Sequence, residues 1–561
     1  MATPPPPRDG GEKRKNDLLA QTWDIIIIGT GAAALSAALS AATTTSTTTT
    51  TTSSTTTTTK TTATAKPKIL LVEKAPREWA GGNGFFTAAA YRTRHEGLSD
   101  LLPLVSNVPA PLAEKIDLPP YTAADFRGDL ERVTGGRSDE TLGGYLVGES
   151  LDVVRWLREV GGVDWWLSFR RQAYEVDGRW RFWGGLHLTV QDGGKGLIRN
   201  LLDAVRRHGC EISYETCARG LMTDASGRRV VGVEVERGGE RYELRASSVI
   251  LCAGGFEANP ELRKKWMGPG WELAHTRGTP YNTGDMLAAA IELGAKTVGD
   301  FSPSGCHSVA WDADSPKHGG DRDKTNEFTK SGYPLGLMLN AEGKRFVDEG
   351  VDLRNYTYAK FGRAILEQPE GVAFQVWDRD GQQWLRSEEY RDEIVRKVQA
   401  DSVEELADKL RADGLKAADE FVKTIEEYNE AVEAHRRERP EIRLNPAIKD
   451  GLSTQSSSRS LPLAKSNWAI PIRKPPFVAV KVTCGITFTF GGLAINGENA
   501  AVLGEDGREI EGLHCAGEMV GGLFYGNYPG GSGLTAGGVF GRRAGRAAAT
   551  RAQEQSRGQT L

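Results

Sequence analysis

Three short apolar runs interrupt an otherwise polar chain and predict buried strands. They cover residues 25–28, 69–72 and 248–253, and each is followed by glycine or by an acidic residue. Continuous rather than alternating apolar runs are typical of parallel strands that are covered on both faces. The pattern therefore predicts an α/β fold built on a parallel sheet.

The first apolar run leads into a glycine turn and an alanine-rich helix. Gly29 permits a tight bend, Gly31 lets a pyrophosphate approach the backbone, and the small Ala34 allows close packing of helix on strand. Glu73 follows the second run, and 20 positions separate it from Gly29 once residues 43–66 are set aside. This is the spacing between phosphate turn and ribose-binding acid in dinucleotide folds. The sequence therefore predicts a Rossmann-like nucleotide site.

Two polar segments lack any apolar periodicity. Residues 1–21 are rich in proline and charge, and we expect a disordered lead. Residues 43–64 include 17 threonines, which predicts a flexible surface insertion at 43–66, within the helix-to-strand connection.

A change of pattern in the second half of the chain predicts an inserted domain. Residues 385–440 are helical in period and highly charged, and Ser402 and Glu405 have the spacing of a capping box. Glycine-rich signals return after that region. We expect a discontinuous nucleotide-binding domain at 22–300 and 486–552, with an α+β capping domain at 301–485.

Composition excludes several classes of function. Lysine and arginine number 70 against 74 acidic residues, a net charge of −4, so nucleic acid is not an expected partner. The six cysteines never form CxxC, which argues against a zinc ribbon, an iron–sulfur run or any other metal site. No apolar run reaches the roughly 18 residues of a transmembrane helix. We expect a cytoplasmic protein.

Several further blocks resemble one family of flavoproteins. They are Glu73 to Arg77, Gly81 to Asn83, Gly255 to Pro260, Arg277 to Thr279, Thr283 to Asp285, Ser304 to His307, Phe346 to Gly350, Arg354 to Lys360 and Ala516 to Glu518. Together they resemble the fumarate reductases, succinate dehydrogenases and 3-ketosteroid dehydrogenases, and most of all the tricarballylate dehydrogenases. The resemblance spans roughly 22–552. It implies an FAD-dependent oxidoreductase acting on CH–CH groups, with its site between flavin domain and cap.

The resemblance also implies roles for particular residues. Arg354 follows Gly343 to Phe346 as the proton-transferring arginine does in fumarate reductases, and it is the first catalytic candidate. A structural salt bridge is the alternative. His307 matches a histidine that contacts a substrate carboxylate. Arg277 is expected to supply a second, bidentate contact, or else to cap a loop.

Two departures from fumarate reductases bear on the substrate. Thr487 and Phe488 stand where those enzymes carry a histidine, and Thr487 is a candidate substrate contact. Tyr528 and Pro529 stand where they carry a carboxylate-binding arginine. Tyr528 resembles instead a tyrosine of the ketosteroid dehydrogenases, and it is the second catalytic candidate. The alternative is that Tyr528 only packs in the core.

These departures leave three substrate classes. The resemblance favours dehydrogenation of a saturated polycarboxylate such as tricarballylate, to cis-aconitate, by hydride transfer to flavin N5. A dehydrogenase or ene-reductase for a cyclic enone, a ketosteroid-like compound or a secondary metabolite is the alternative, as is a fumarate reductase. A non-catalytic electron carrier is a further alternative, which the Arg354 block disfavours.

The resemblance implies non-covalent FAD, since no histidine occurs between 73 and 94 to anchor it. Without iron–sulfur cysteines or a CxxCH haem site, we expect an electron acceptor outside this chain, such as a separate redox protein. The positions expected to contact FAD are Gly29, Gly31, Ala34, Glu73, Lys74, Gly81, Gly82, Asn83, Ala253, Gly254, Gly255, Thr283, Gly284, Asp285, Gly517, Glu518, Gly533, Leu534 and Thr535.

Overall fold

The computed structural model describes residues 18–44, 48–51, 57–60 and 66–558, and its mixed α/β architecture confirms the predicted fold class. Most of the expected disordered lead, residues 1–17, lies outside the described residues, as do 45–47, 52–56 and 61–65 of the expected flexible insertion.

The three predicted apolar runs lie side by side in the larger of the two main sheets. Trp23–Ile28 is flanked by Ile69–Val72 and Glu240–Leu251, both parallel to it. Ile25 to Ile28 are at most 4% exposed, because neighbouring strands flank them on both edges and the helices of 32–43 and 532–558 pack on them. The eight strands of this sheet are Glu211–Ser213, Ile69–Val72, Trp23–Ile28, Glu240–Leu251, Val230–Arg237, Cys217–Thr223, Glu509–Cys515 and Ala501–Leu503.

Two helices from opposite ends of the chain pack against each other beside this sheet. Ala32–Thr43 follows the first glycine turn, and Ser532–Gly558 closes the chain. A β-carbon at Gly545 would lie 2.2 Å from the carbonyl oxygen of Ala37, so glycine there permits the close approach. The C-terminal helix thereby packs on the helix that follows the first glycine turn.

The second main sheet lies mainly in the segment predicted as the capping domain. Its longest strand, Phe477–Thr489, pairs with all but one of the other five strands. Residues predicted for the flavin domain also take part, because His275–Thr276 is parallel to Gly485 and Ile486. The six strands are His275–Thr276, Cys306–Asp312, Leu337–Asn340, Ala373–Trp377, Val398–Ala400 and Phe477–Thr489.

The helices of the predicted charged region cover the cap sheet. Ser402 begins the first of them by accepting a hydrogen bond from the backbone N–H of Glu405 at 3.1 Å, as its capping spacing predicts. Leu406, Leu410 and Phe421 are buried against the strands. The helices of 301–485 are Tyr358–Leu366, Arg379–Gln382, Ser387–Tyr390, Val403–Leu410 and Ala418–Glu438.

The remaining elements are short strands and helices outside the two main sheets. The strands are Thr48–Thr51, Thr57–Lys60, Ile116–Asp117, Trp165–Leu167, Ala173–Val176, Arg179–Phe182, Leu188–Val190, Thr297–Val298 and Gly492–Leu493. The helices are Gly82–Phe86, Leu98–Leu101, Ala110–Ala113, Ala123–Thr134, Glu140–Glu159, Phe169–Gln172, Gly193–Arg207, Pro260–Met267 and Asp285–Glu292. Within the described part of the chain, no helix combines the length and apolarity needed to cross a bilayer.

Candidate functional site

The first glycine turn forms a cradle at the end of Trp23–Ile28. Gly29 has φ +105°, and a β-carbon there would lie 2.5 Å from the carbonyl oxygen of Cys252. A β-carbon at Gly31 would meet only the carbonyl oxygen of Gly81, at 3.9 Å, so it would project into the neighbouring cavity. Because the N–H groups of the helix that begins at Ala32 face this space, the turn fits the phosphates of a dinucleotide.

A carboxylate lies next to this cradle, at the end of Ile69–Val72. Glu73 accepts hydrogen bonds from the hydroxyl of Thr30 and from the backbone N–H of Ala75 at 2.8 Å. Burial raises the pKa of Glu73, and the hydrogen bond from Thr30 opposes that rise. Glu73 thus has the place and the spacing of the acid that binds ribose hydroxyls in dinucleotide folds.

Lys74 closes the same end of the cavity. Its Nζ donates to Thr283 Oγ1 and to Asp285 Oδ2, both at 2.6 Å. The ion pair is partly exposed, so its contribution to stability is small. The pair joins the segment after Ile69–Val72 to the block from Thr283 to Asp285.

A buried polar wall separates the cradle from the cap. Asn83 Nδ2 donates to Glu257 Oε1 at 2.6 Å and to the carbonyl oxygen of Thr487 at 2.7 Å. Glu518 accepts from the backbone N–H of Thr489 at 2.8 Å. Burial raises the pKa of both Glu257 and Glu518. Glu257 was not among the predicted site residues, since its partners come from distant segments.

One continuous cavity runs from the glycine turn, past Asn83 and Glu518, to His307 and Arg354. Cofactor-facing and substrate-facing residues therefore share one space. The predicted residues that line it are Gly29, Gly31, Glu73, Lys74, Gly82, Asn83, Ala253, Gly254, Arg277, Thr283, Gly284, Asp285, His307, Arg354, Thr487, Gly517, Glu518, Tyr528, Gly533 and Leu534.

Four predicted cofactor positions stand behind the lining. Ala34 is fully buried against the sheet, where its small side chain serves packing. The N–H of Gly81 donates to Thr30 Oγ1 at 3.0 Å. A β-carbon at Gly255 would strike Glu518, and Thr535 Oγ1 donates to the carbonyl oxygen of Arg92 at 2.7 Å. These four positions shape the site without facing it.

Tyr528 and His307 meet in the substrate half of the cavity. The Tyr528 hydroxyl lies 3.3 Å from His307 Nδ1 and 3.2 Å from the hydroxyl of Tyr358. When Tyr528 donates to Nδ1, the ring proton lies on His307 Nε2, which has no hydrogen-bond partner among the described residues. Burial holds the pKa of Tyr528 well above its usual range. Burial and the charge of Arg277 hold the pKa of His307 well below its usual range. Both side chains are therefore neutral near pH 7.

Arg277 is 8% exposed and contacts only neutral groups. Its guanidinium donates to Asn326 and lies 5.7 Å from the ring of Trp311, while its Nε has no hydrogen-bond partner within the described chain. Burial lowers the pKa of Arg277. Thr487 donates from its hydroxyl to the backbone carbonyl of Arg277, so Thr487 contributes to the position of that arginine.

Arg354 lies at the start of the turn Arg354–Tyr356. Its Nη2 donates to the carbonyl oxygen of Arg171 at 2.6 Å, and its Nη1 lies 3.5 Å from Ser331 Oγ. The guanidinium also lies 5.3 Å from the ring of Trp183. The described residues give it no carboxylate partner, so the alternative of a structural salt bridge gains no support there.

Sequence reasoning missed two further arginines in the lining. Arg171 pairs with Glu388 at 2.6 Å and with Glu389 at 3.1 Å, and Arg386 lies 3.4 Å from Glu389. Acidic partners therefore offset these two charges, and the charges of Arg277 and Arg354 remain uncompensated. No local signal identified Arg171, because its partners lie more than 200 residues away.

Enlarging Gly31 is expected to weaken FAD binding. Gly31 has φ −68° and ψ 173°, which valine adopts readily, so Gly31→Val should fold while its side chain fills the cradle. We expect at least about 100-fold weaker FAD binding, equivalent to about 2.8 kcal/mol. Flavin absorbance per protein and a fluorescence titration of the apoprotein with FAD measure it. Gly144→Val, at a helical glycine with open space around its Cα, is the control. Equal FAD affinity in the two variants would contradict this reading of the cradle.

Comparison with known protein families gives one match that spans most of the chain. A family described as FAD binding domain matches residues 24–534. The match begins in the first predicted strand and ends in the helix that follows the last glycine block, so both sheets lie within it.

Individual proteins are similar over comparable lengths. The probable fumarate reductase Ifc3 of Shewanella frigidimarina is 26% identical over 492 residues, which cover 88% of this chain and 72% of the relative. The NADH:acrylate oxidoreductase of Vibrio harveyi is 28% identical over 423 residues, and the match covers 72% of this chain but only 36% of that longer protein. The 3-ketosteroid delta1-dehydrogenase of Sterolibacterium denitrificans, solved with 1,4-androstadiene-3,17-dione, shares the fold with a TM-score of 0.68. Its sequence identity is 19%, and 94% of this chain and 99% of that one are covered.

Proposed function

The chain belongs to the FAD binding domain family, and on that premise we propose that it removes two hydrogens from a saturated carbon–carbon bond of a polycarboxylate such as tricarballylate. The expected cofactor FAD, the flavoprotein family and the class of oxidoreductases acting on CH–CH groups are confirmed. The substrate, the direction of reaction and an electron acceptor outside this chain are our proposal.

The observation that carries the proposal is the pair of uncompensated arginines. Arg277 and Arg354 both line the substrate half of the cavity, and neither forms an ion pair with any residue that the structure describes. A buried guanidinium without a counter-charge is costly. A ligand with two carboxylates removes that cost, and the fork geometry of each guanidinium suits a bidentate contact. His307 Nε2 supplies a further donor for a third carboxylate.

The protein has to hold the substrate and accept one proton. Bound FAD supplies the hydride acceptor. Arg277 and His307 fix the carboxylates. Tyr528 donates its one hydroxyl proton to His307 Nδ1, which keeps the ring proton on Nε2 for the carboxylate beside the carbon that loses its proton. A tyrosine whose pKa is raised by burial is a poor base, so Tyr528 acts as a donor and leaves proton acceptance to Arg354.

Arg354 needs an outlet for its proton, because a guanidinium in water is a poor base. Its Nη1 lies 3.5 Å from Ser331 Oγ, which donates to Glu389 Oε2 at 2.6 Å. A proton that leaves Arg354 by this route frees a guanidine nitrogen to take the proton from carbon. The buried Glu389 is the first carboxylate on the route.

A cyclic ketone or enone is the second candidate substrate. The observation that favours it is an aromatic wall beside Tyr528. It is formed by Phe488, whose ring lines the cavity 5.7 Å from the tyrosine ring and packs against the buried Phe524. Such a wall suits a carbocycle, and the Tyr528 hydroxyl would then polarise its carbonyl group.

A substrate panel with an artificial electron-accepting dye separates the candidates. The panel contains tricarballylate, citrate, succinate, a cyclohexanone carboxylate and a 3-ketosteroid, and products are identified by mass spectrometry. We expect tricarballylate to lose two hydrogens, and to do so with the highest kcat/KM. Turnover of the steroid with no turnover of any polycarboxylate would replace the first candidate by the second.

Removal of the Arg277 charge is expected to weaken substrate binding selectively. Arg277→Met should raise KM for a polycarboxylate about 100-fold, equivalent to about 2.8 kcal/mol, within the range for losing one partner of a buried charge pair. Arg277→Lys should recover part of the loss, since it restores charge without the fork. Steady-state kinetics measure both variants. A KM unchanged in Arg277→Met would assign the carboxylate contact to another group.

A further inference from the structure

A buried polar cluster lies beside the substrate half of the cavity without lining it. We call it the Arg92 cluster, and it consists of Arg92, Tyr121, Asp129 and Tyr356. Arg92 has no solvent exposure, and its Nη1 donates to the hydroxyl of Tyr121 at 2.7 Å and lies 3.6 Å from Asp129 Oδ2. Both tyrosine hydroxyls donate to Asp129, that of Tyr121 at 2.8 Å.

The cluster reaches the loop that carries Tyr528. Arg92 Nε donates to the carbonyl oxygen of Gly530 at 2.8 Å, two residues beyond Tyr528. The Oγ1 of Thr535 donates to the carbonyl oxygen of Arg92 at 2.7 Å, which ties the start of the last helix to the same point. The loop is therefore held from both sides.

The same cluster reaches the turn that carries Arg354. Arg92 Nη1 lies 3.4 Å from the hydroxyl of Tyr356, two residues after Arg354. The N–H of Gly530 donates to the carbonyl oxygen of Asn355 at 3.1 Å, and Asn527 Nδ2 donates to that of Tyr356 at 2.7 Å. One buried guanidinium thus contacts two segments that lie about 170 residues apart in sequence.

We infer that Arg92 is a positioning residue that holds the Tyr528 loop and the Arg354 turn in register. This inference rests on the proposed function, because it assumes that both side chains act on one substrate bond. Arg92 does not line the cavity, so it contacts neither cofactor nor substrate. Its contacts with a backbone carbonyl of one segment and a hydroxyl of the other indicate a geometric role.

The expected consequence of losing Arg92 is a slower chemical step with little change in binding. A displacement of about 1 Å at the reacting groups costs roughly 100-fold in rate. Arg92→Met should therefore lower kcat about 100-fold and leave KM and FAD content within about threefold of wild type. Arg92→Lys, which can still reach one carbonyl oxygen, should regain about tenfold. Arg92→Met leaves Asp129 with a single arginine partner, so Tyr356→Phe serves as a milder second variant. We expect it to lower kcat about tenfold.

The matched control is Arg132→Met. Arg132 also pairs with Asp129, at 3.1 Å, and with Asp352, at 2.6 Å, and it stacks 4.6 Å from the ring of Tyr356. It therefore shares the contacts of Arg92 with Asp129 and with the Arg354 turn, but it is about half exposed and has no hydrogen bond to Gly530. We expect its kcat within about threefold of wild type. A control variant as slow as Arg92→Met would overturn the inference, because general disturbance of Asp129 and Tyr356 would then explain the loss.

Two readouts separate positioning from a merely structural role. The rate of anaerobic flavin reduction in a single turnover should fall with kcat in Arg92→Met, and its deuterium isotope effect should rise as chemistry becomes limiting. In the substrate-free Arg92→Met protein, backbone hydrogen exchange should be faster at 353–358 and 525–531 than in substrate-free Arg132→Met. Unchanged exchange in both segments would overturn the inference, as would a loss confined to KM or FAD content.

The exchange experiment needs no substrate. A wild-type protein inert towards every compound of the panel would therefore refute the proposed function and leave the exchange result to decide on Arg92.

Discussion

Arg354→Met is expected to lower kcat for a polycarboxylate by about 1,000-fold while FAD stays bound. A positioned proton acceptor contributes roughly 100- to 10,000-fold in rate. Methionine retains much of the side-chain volume but has neither the charge nor the nitrogen atoms that contact Ser331 Oγ and the carbonyl oxygen of Arg171. Steady-state kinetics with the dye acceptor, together with flavin absorbance per protein, measure the effect.

The variant Arg354→Lys and a control substitution at Arg170 make this test specific. Arg354→Lys should keep KM near wild type, because the positive charge remains, but should stay at least about 100-fold slow in kcat. Arg170→Met, at an exposed arginine outside the cavity, should be fully active. Full activity in Arg354→Met would remove Arg354 from the mechanism and transfer the proton step to another group.

Tyr528→Phe is expected to lower kcat/KM about 100-fold at every pH. The change removes the hydroxyl that keeps the ring proton on His307 Nε2, and the loss of one donor at a developing negative charge costs roughly 100- to 1,000-fold. Burial raises the pKa of Tyr528 and lowers that of His307, so neither group titrates between about pH 6 and 9. The variant's pH profile should therefore be parallel to that of wild type and displaced downward.

The pH profile also distinguishes a donor from a base. If Tyr528 had to be ionised, the activity of wild type would increase with pH up to the raised pKa, and the variant would lose that increase. Tyr525→Phe, in the same loop but outside the cavity, is the control and should match wild type. A loss of activity in Tyr528→Phe that appears only at high pH would contradict the role of Tyr528 as a neutral donor.

Local patterns were sufficient to predict the nucleotide half of the site. The backbone of Gly29 and Gly31 and the carboxylate of Glu73 need only a strand, a turn and a fixed spacing, and these are encoded within a few residues of each other. The spacing became regular once the threonine-rich segment was set aside. The structure agrees with that treatment, since the segment joins the first helix to the second strand.

The substrate half was predictable only through the family resemblance, and its electrostatics were not predictable at all. Arg354, His307 and Arg277 stood in recognisable blocks. Whether each arginine faces a carboxylate depends on segments hundreds of residues apart, as the partners of Arg171 show. The contacts of Arg92 likewise arise from chain segments that meet only in the folded protein. The same limit explains why His275–Thr276, too short to show any period, was not recognised as a strand of the cap sheet.

The threonine-rich segment differs in part from its expected form. Within it the structure describes Thr48–Thr51 and Thr57–Lys60 as an antiparallel pair, with Thr49 opposite Thr59. Threonine is β-branched and favours extended backbone, so local pairing follows from the same property that makes it a weak helix former.

The anaerobic visible spectrum of the purified protein, recorded before and after addition of tricarballylate, tests the central claim most directly. Oxidised flavin loses its visible absorption when it accepts a hydride, so the account predicts bleaching by tricarballylate without any other reductant, and much slower bleaching in Arg354→Met. A spectrum that persists through excess tricarballylate, in protein that a chemical reductant still bleaches, would contradict the claim that a polycarboxylate is the hydride donor.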